Sequence, residues 1–337
     1  PGQISVAKII GEREMKYAKS EAKAYCLKHM KNVWAALTTP FKPDGELDEK
    51  GLRANVRRCI DELKIDGFFC SGTMGEFWSL LSEERRRVDK IVCEESRGKA
   101  QVICHTGSHN IREAVALSKH AQEAGATYVI MMNPVYGAKD DDEMYRYFET
   151  IASQIDIGLA LFNQPKSGYT LSPALIERLC DIENICCVKN AVPDINHSME
   201  VRRRVGDRIV VSDPNEDRWF LSLAYLGQQV HMSSPTPYLY QVPGYLPIRE
   251  YTDLTRAGKL EEAARKNFEL ESLRAVRQKY FTTGPDGRTT AYIKEWTRLL
   301  GMAAGEPRPA IVPLTDKQRE QFRKDLAATG LLDRVKG

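Results

Sequence analysis

The sequence predicts an α/β protein, a (β/α)8 TIM barrel followed by a C-terminal helical region. Eight short apolar segments, each typical of a buried strand, alternate with segments of helical spacing. Eight strands favour a closed barrel over an open doubly wound sheet, which more often stops at five or six. After residue 251 the pattern changes to helices alone. We therefore expect an N-terminal extension (1–30), a barrel (31–250) and a C-terminal helical region (251–337).

Strands are expected at 33–37, 67–70, 102–105, 128–132, 158–162, 185–188, 208–211 and 229–232. Helices between them are expected at 46–63, around 87–92, and at 111–124, 141–153, 172–179, 195–205 and 216–226. The C-terminal helices are expected at 260–281, 289–300 and 316–328. Apolar residues share one face of the first helix, and Ser172 before Pro173 is typical of a helix start.

The composition excludes several classes of protein. Of 337 residues, 42% are hydrophobic and 28% are charged, which is usual for a globular protein with a sizeable core. The formal net charge is only +3, and acidic residues accompany the basic ones throughout, so neither nucleic acid nor an anionic membrane is expected as a partner. No apolar run approaches the ~20 residues that span a bilayer.

The cysteine pattern indicates buried, reduced thiols. Several of the eight cysteines lie inside apolar strand-like runs, no Cys-x-x-Cys occurs, and the six histidines lack ligand spacing, so no metal site is predicted. Residues 1–30 are polar and lack the apolar block of a secretory signal. We expect a cytoplasmic protein whose extension forms a helix against the main body or against a neighbouring subunit.

A single lysine, Lys189, ends the sixth predicted strand, directly after four uncharged residues. Apolar surroundings disfavour the charged form of a lysine and lower its pKa. The neutral amine is a nucleophile that forms a Schiff base with a carbonyl compound. On its own this observation is weak, because a lysine at a strand end is more often an exposed surface charge.

Other strand ends carry residues that suit the same chemistry. In barrels of this type the active site lies at the C-terminal ends of the strands. After the second strand come residues whose glycines allow backbone N–H groups to hold an anion: Gly72, Thr73, Met74, Gly75 and Glu76. Tyr136 follows the fourth strand. Phe162, Asn163, Lys166 and Tyr169 end or follow the fifth.

With these residues in this order, the chain resembles the N-acetylneuraminate lyase and dihydrodipicolinate synthase superfamily of class I aldolases over about 33–300. Residues 72–76 resemble the family's carboxylate-binding motif Gly-x-x-Gly-Glu. Lys189 matches the Schiff-base lysine. Tyr136 matches a tyrosine that reaches a neighbouring active site in the family's tetramers. The resemblance implies a homotetramer built as a dimer of dimers.

The departures from the family pattern concern two positions. Phe162 stands where the family has a tyrosine that relays protons. We expect the hydroxyl of another residue to relay protons instead. Tyr169 is the first candidate, and Tyr136 and Thr73 are the others. The arginine that follows Asn-x-Pro in the synthases is missing, and the segment here begins with Lys166. Genuine dihydrodipicolinate synthase activity is therefore not expected.

The resemblance implies an aldolase or lyase that acts on a 2-oxo acid, pyruvate or a pyruvate adduct, with an aldehyde as the second substrate. No metal or organic cofactor is required, because Lys189 itself activates the substrate. The alternatives are a dehydratase or hydratase-aldolase that uses the same iminium, and a synthase-like condensation. A barrel that binds a 2-oxo acid without turning it over is the non-enzymatic alternative, which Phe162 favours.

Overall fold

Eight parallel strands form a nearly closed barrel in the computed structural model, which describes residues 15–282 and 288–335. The strands are β1 (Asn32–Ala36), β2 (Gly67–Cys70), β3 (Gln101–His105), β4 (Tyr128–Met132), β5 (Gly158–Asn163), β6 (Ile185–Asn190), β7 (Val210–Ser212) and β8 (Val230–Met232). From β1 to β7 each strand pairs with the next along the chain, and β1 also pairs with β8, whereas no ladder joins β7 to β8 in the described residues. The predicted barrel is confirmed.

The helices are α1 (Ala22–His29), α2 (Glu49–Asp61), α3 (Ser82–Ser96), α4 (Ile111–Ala124), α5 (Asp141–Ala152), α6 (Pro173–Leu179), α7 (Ile195–Val205), α8 (Glu216–Tyr225), α9 (Thr236–Leu239), α10 (Pro247–Arg256), α11 (Leu260–Phe268), α12 (Glu271–Arg277), α13 (Thr289–Leu299) and α14 (Asp316–Ala327). Among the helices of these described residues, none is both long and apolar enough to cross a membrane.

The single helix predicted at 260–281 is wrong in detail. The chain forms α11 and α12, followed by a π-helical turn at Gln278–Thr282. At the break, the carbonyl of Asn267 accepts hydrogen bonds from the Leu270 N–H and from the Arg274 guanidinium. Helix α10 was not predicted, and the expected boundary at residue 250 lies inside it.

The register of the strands places Lys189 at the same height in the barrel as its neighbours on β5 and β7. Lys189 of β6 pairs with Phe162 of β5 on one side and with Ser212 of β7 on the other. Because alternate residues of a strand face the same side, Lys189 points into the barrel together with Cys187, which belongs to the interior cluster. A larger cluster fills the layer between the strands and the helices.

Helix α1 and the residues before it pack against the opposite, N-terminal end of the barrel. Cys26 and Met30 are fully buried in the interior cluster. The Tyr17 hydroxyl donates to the carbonyl of Thr127 and accepts from the N–H of Gly158 at 3.1 Å. The part of the N-terminal extension from residue 15 onward therefore packs on the main body, whereas residues 1–14 lie outside the described range.

Candidate active site

The amine of Lys189 is enclosed by aromatic rings. Its Nζ lies 4.4 Å from the ring centroid of Phe69 and 4.9 Å from that of Phe162, and the side chain is only 4% exposed. The amine donates one hydrogen bond, to the carbonyl of Ser233 at 3.1 Å. Burial lowers the pKa of Lys189 to about 7. A large fraction of the side chain is therefore the neutral, nucleophilic amine at neutral pH.

The loop after β2 approaches the edge of the Phe69 ring at Gly72. A Cβ at position 72 would come within 2.5 Å of that ring, so Gly72 is required for the close approach. Ser71 and Glu76 bracket the loop with φ values of +53° and +57°, a left-handed conformation that is uncommon outside glycine. Because Phe69 contacts both the loop and Lys189, the structure brings the predicted anion-binding segment and the predicted nucleophile together.

A short 3₁₀ turn at Thr73–Gly75 forms the centre of this loop. Backbone N–H groups at the start of such a turn have no preceding carbonyl within the turn to bind. The side-chain Oγ1 of Thr73 is buried and has no hydrogen-bond partner among the described residues. This geometry suits binding of an anionic group, and that role of the loop stays a prediction.

Glu76, at the end of the loop, is held by residues of the C-terminal region. Its Oε1 lies 2.8 Å from Nζ of Lys294, and its Oε2 accepts the backbone N–H of Arg308 at 3.1 Å. Both side chains of the ion pair are buried. We infer that Glu76 anchors the loop from behind rather than contacting a substrate. Sequence reasoning missed Lys294, because it is 218 residues away in the chain on a helix with no signal of function.

Asn163 has a similar anchoring position at the end of β5. Its side-chain amide donates to the carbonyl of Leu171 and to Oδ1 of Asn190, and its Oδ1 accepts the N–H of Leu171. These bonds tie the loop after β5 to the end of β6, the strand that carries Lys189. The side chain of Asn163 is fully buried.

Tyr169, Lys166 and Tyr136 are not brought to Lys189 of the same chain. The Tyr169 hydroxyl donates to the carboxylate of Asp141 at the start of α5, and burial, followed by this carboxylate, raises the pKa of Tyr169 to about 12. Lys166 is exposed. Tyr136 is 80% exposed on the loop after β4. The geometry gives no support to Tyr169 as the replacement for the family tyrosine.

His105 is a residue that the sequence analysis overlooked. It ends β3, and its side chain is 1% exposed. The strand-end rule that selected Lys189 and Tyr136 also applies to it, so the signal was present in the sequence.

One cluster of potential metal ligands exists in the described part of the chain. Ligand atoms of Cys70, Asp89 and Cys104 lie within 4.8 Å of one another. Asp89 already accepts a hydrogen bond from the Ser71 hydroxyl at 2.7 Å. The two cysteines belong to the layer between strands and helices, outside the interior that holds Lys189, so this cluster takes no part in the lysine chemistry. All eight cysteines are free and buried.

Comparison with known proteins gives a consistent result. The model of the dihydrodipicolinate synthetase family matches residues 29–329. A 4-hydroxy-tetrahydrodipicolinate synthase of Methanothrix thermoacetophila is 32% identical over 297 residues, which cover 87% of this chain and 95% of that protein. An N-acetylneuraminate lyase of Fusobacterium nucleatum is 28% identical over 300 residues, 88% of this chain and 98% of that protein.

Solved structures agree with these matches. A prophage protein of the dihydrodipicolinic acid synthase family from E. coli K12, in complex with pyruvate, superimposes with a TM-score of 0.79 at 26% identity. The match covers 89% of this chain and 99% of that chain. A monomeric dihydrodipicolinate synthase variant gives a TM-score of 0.78 at 25% identity, with 90% and 98% of the two chains covered.

Proposed function

The chain belongs to the dihydrodipicolinate synthetase family, and we propose that Lys189 is the residue that forms the Schiff base here. Members of this family are lyases. They are class I aldolases that act on pyruvate through a Schiff base. The substrate is a 2-oxo acid, pyruvate or a pyruvate adduct. The observation that carries the assignment is the enclosure of the Lys189 amine by Phe69 and Phe162, which lowers its pKa.

The reaction begins with the carboxylate of the 2-oxo acid on the N–H groups of Thr73 and Met74. Lys189 attacks the 2-oxo carbon, and loss of water gives an iminium. The iminium accepts the electrons released when a C–C bond one position further out breaks, and in reverse its enamine adds to an aldehyde. A hydro-lyase reaction through the same iminium is the second candidate. It is favoured by Phe162, which has no phenol at the position of the family's tyrosine.

A reductive trapping experiment tests the assignment. Incubation with pyruvate and borohydride should add one reduced pyruvyl group, on the peptide that contains Lys189. Lys189→Ala should abolish the adduct. Lys119→Ala serves as the control, because Lys119 is exposed on α4 and should leave trapping unchanged. An adduct on another lysine, or none with any of a panel of 2-oxo acids, would reject the Schiff-base role of Lys189.

We propose that the active protein is a homotetramer, built as a dimer of dimers. We also propose that it is located in the cytoplasm. Support comes from Tyr136, whose ring is exposed on the loop after β4 and is available to a neighbouring subunit. Closed symmetric homo-oligomers are also the usual form of soluble assemblies. Light scattering at assay concentration tests the tetramer, and an active monomer would exclude it.

We also propose that the chain divides into three regions, 1–30, 31–250 and 251–337.

A further inference from the structure

The barrel has one seam, between β7 and β8, where the backbone ladder is interrupted. No ladder joins these two strands in the described residues, whereas every other pair of neighbouring strands has one. Val230 and Met232 of β8 belong to the buried interior cluster, so bulk solvent does not reach them. Buried backbone N–H and C=O groups are nearly always paired, so those that face the seam need other partners.

The hydroxyl of Ser212, the last residue of β7, supplies two of these partners. Its Oγ donates to the carbonyl of Val230 at 3.1 Å and accepts the backbone N–H of Met232 at 3.0 Å. A serine hydroxyl has one proton and two lone pairs, so it makes both bonds at once. The side chain is fully buried. Ser212 therefore joins β7 to β8 through a side chain where the backbone does not.

The side-chain amide of Gln228, just before β8, completes the seam. Its Oε1 accepts the backbone N–H of Asp213 at 3.1 Å, and its Nε2 donates to the carbonyl of Asp213 at 3.0 Å and to that of Val230 at 2.8 Å. Gln228 is also buried. An amide side chain thus pairs with Asp213 as a backbone peptide group of a neighbouring strand would.

The seam lies beside Lys189. Ser212 is the direct partner of Lys189 in the register of β6 and β7. Val210, two residues before Ser212, belongs to the interior cluster, so alternation places the Ser212 side chain on the inner face of the barrel. On the other strand, Met232 is followed by Ser233, whose carbonyl accepts the hydrogen bond of the Lys189 amine at 3.1 Å. The N–H that Ser212 holds and the carbonyl that holds the amine therefore belong to consecutive residues.

We propose that Ser212 is a positioning residue for Lys189: its hydroxyl fixes β8 at the seam, and with it the Ser233 carbonyl that orients the amine for attack on the 2-oxo carbon. The proposal rests on the Schiff-base function proposed above and adds one role within it. A neutral amine has two N–H groups and one lone pair, so an N–H held by a carbonyl restricts the directions in which the lone pair points.

The other edge of β8 is already fixed by the backbone. The N–H of Ser233 donates to the carbonyl of Trp34 on β1 at 3.1 Å. Ser212 therefore holds the edge of β8 that β1 does not hold. Misplacement of a reacting group by about 1 Å costs up to ~10²-fold in rate, so a shift of this edge should slow the attack.

The test compares two variants that differ in the hydroxyl. Ser212→Ala removes it, whereas Ser212→Thr retains it. We would measure the rate of borohydride trapping over a range of pyruvate concentrations. At saturating pyruvate, Ser212→Ala should trap at least ~10-fold more slowly than the wild type, and Ser212→Thr should recover most of the rate. The half-saturating pyruvate concentration should stay unchanged, because Ser212 bonds to β8 and not to the loop 72–76.

Ser118→Ala is the matched control. Ser118 is likewise fully buried, and its hydroxyl lies 2.8 Å from Oγ1 of Thr106 and 2.7 Å from the carbonyl of Ala114. It lies on α4, outside the seam. Both alanine variants should lower the midpoint of urea unfolding, whereas only Ser212→Ala should slow trapping. A slowing of the same size in Ser118→Ala would reduce the effect to general destabilisation and overturn the proposal.

Gln228→Met tests the seam by a second route that leaves the Ser212 hydroxyl in place. It should also slow trapping at saturating pyruvate, by a smaller factor than Ser212→Ala. If the Ser212 variants do not fold, wild-type trapping by Gln228→Met counts against the role of the seam, and slower trapping supports it.

The remaining outcomes separate this proposal from the proposed function. An adduct on Lys189 together with full trapping by Ser212→Ala, or with equal losses in Ser212→Ala and Ser212→Thr, overturns the role of Ser212 alone. A wild-type protein that forms no adduct with any 2-oxo acid overturns the Schiff-base function itself.

Discussion

Lys294 and Glu76 form an ion pair inside the protein, with 2.8 Å between Nζ and Oε1 and with side chains that are 1% and 0% exposed. The pair joins α13 of the C-terminal region to the loop that we assign to substrate binding. Lys294 also donates to the carbonyls of Thr39, Ala304 and Glu306. The C-terminal helices therefore take part in shaping the mouth of the barrel.

Lys294→Met should destabilise the protein and weaken substrate binding. It leaves the carboxylate of Glu76 buried without its cation, which typically costs about 3–5 kcal/mol of unfolding free energy. Urea unfolding measures this loss, and the pyruvate concentration for half-maximal trapping should rise. Lys324→Met is the control, because its pair with Glu320 is two-thirds exposed and should contribute less than ~1 kcal/mol. Combining Lys294→Met with Glu76→Gln should recover part of the stability. No recovery would argue against the pair as the anchor.

The rate of imine formation should depend on the pKa of Lys189. Only the neutral amine attacks, so the rate should rise with pH, with a midpoint near 7, and level off above it. An ordinary lysine would continue to gain rate up to about pH 10. Trapping rates with pyruvate between pH 5.5 and 9.5 provide the measurement.

Phe162→Ser provides the matched comparison for this pH profile. It admits water beside the amine and reduces the desolvation that lowers the pKa of Lys189, so the midpoint should move upward. An identical midpoint in both proteins would mean that the ring of Phe162 does not set the pKa.

Tyr169→Phe tests the relay that sequence reasoning favoured. Because the Tyr169 hydroxyl donates to Asp141, we expect turnover of a pyruvate adduct to change by less than ~3-fold. Steady-state kinetics should be compared with Phe162→Tyr, which adds a phenol beside Lys189. A loss of ~10-fold or more in Tyr169→Phe, about 1.4 kcal/mol in barrier, would restore Tyr169 as the relay.

Mixing two inactive variants tests whether Tyr136 serves a neighbouring subunit. Tyr136→Phe and Lys189→Ala should each be impaired alone. When the two variants are coexpressed, some active sites should combine Lys189 of a Tyr136→Phe chain with Tyr136 of a Lys189→Ala chain. Activity should therefore reappear. Tyr225→Phe mixed with Lys189→Ala is a control for subunit exchange, since Tyr225 is an exposed tyrosine on the outer helix α8. Absence of complementation in coexpressed mixtures that contain both chains would reject the intersubunit role.

Sequence periodicity predicted the barrel because buried apolar residues recur every two residues in a strand and every 3.6 residues in a helix. The eight strands follow from that alternation, and so does the position of Lys189 at the end of β6. The break between α11 and α12 was not predictable in this way. It depends on hydrogen bonds to the Asn267 carbonyl, one of them from a side chain seven residues further on.

The amino-acid sequence by itself determined the fold class, the family and the candidate nucleophile, since each depends on local spacing or on a short motif. Tertiary structure alone decided which polar residues meet. It turned Glu76 toward Lys294, directed Tyr169 to Asp141 and brought His105 to the ring of Phe69 that also contacts the amine. The physical reason is that these contacts join segments far apart in the chain, and their energies depend on burial and distance, which exist only once the barrel has closed.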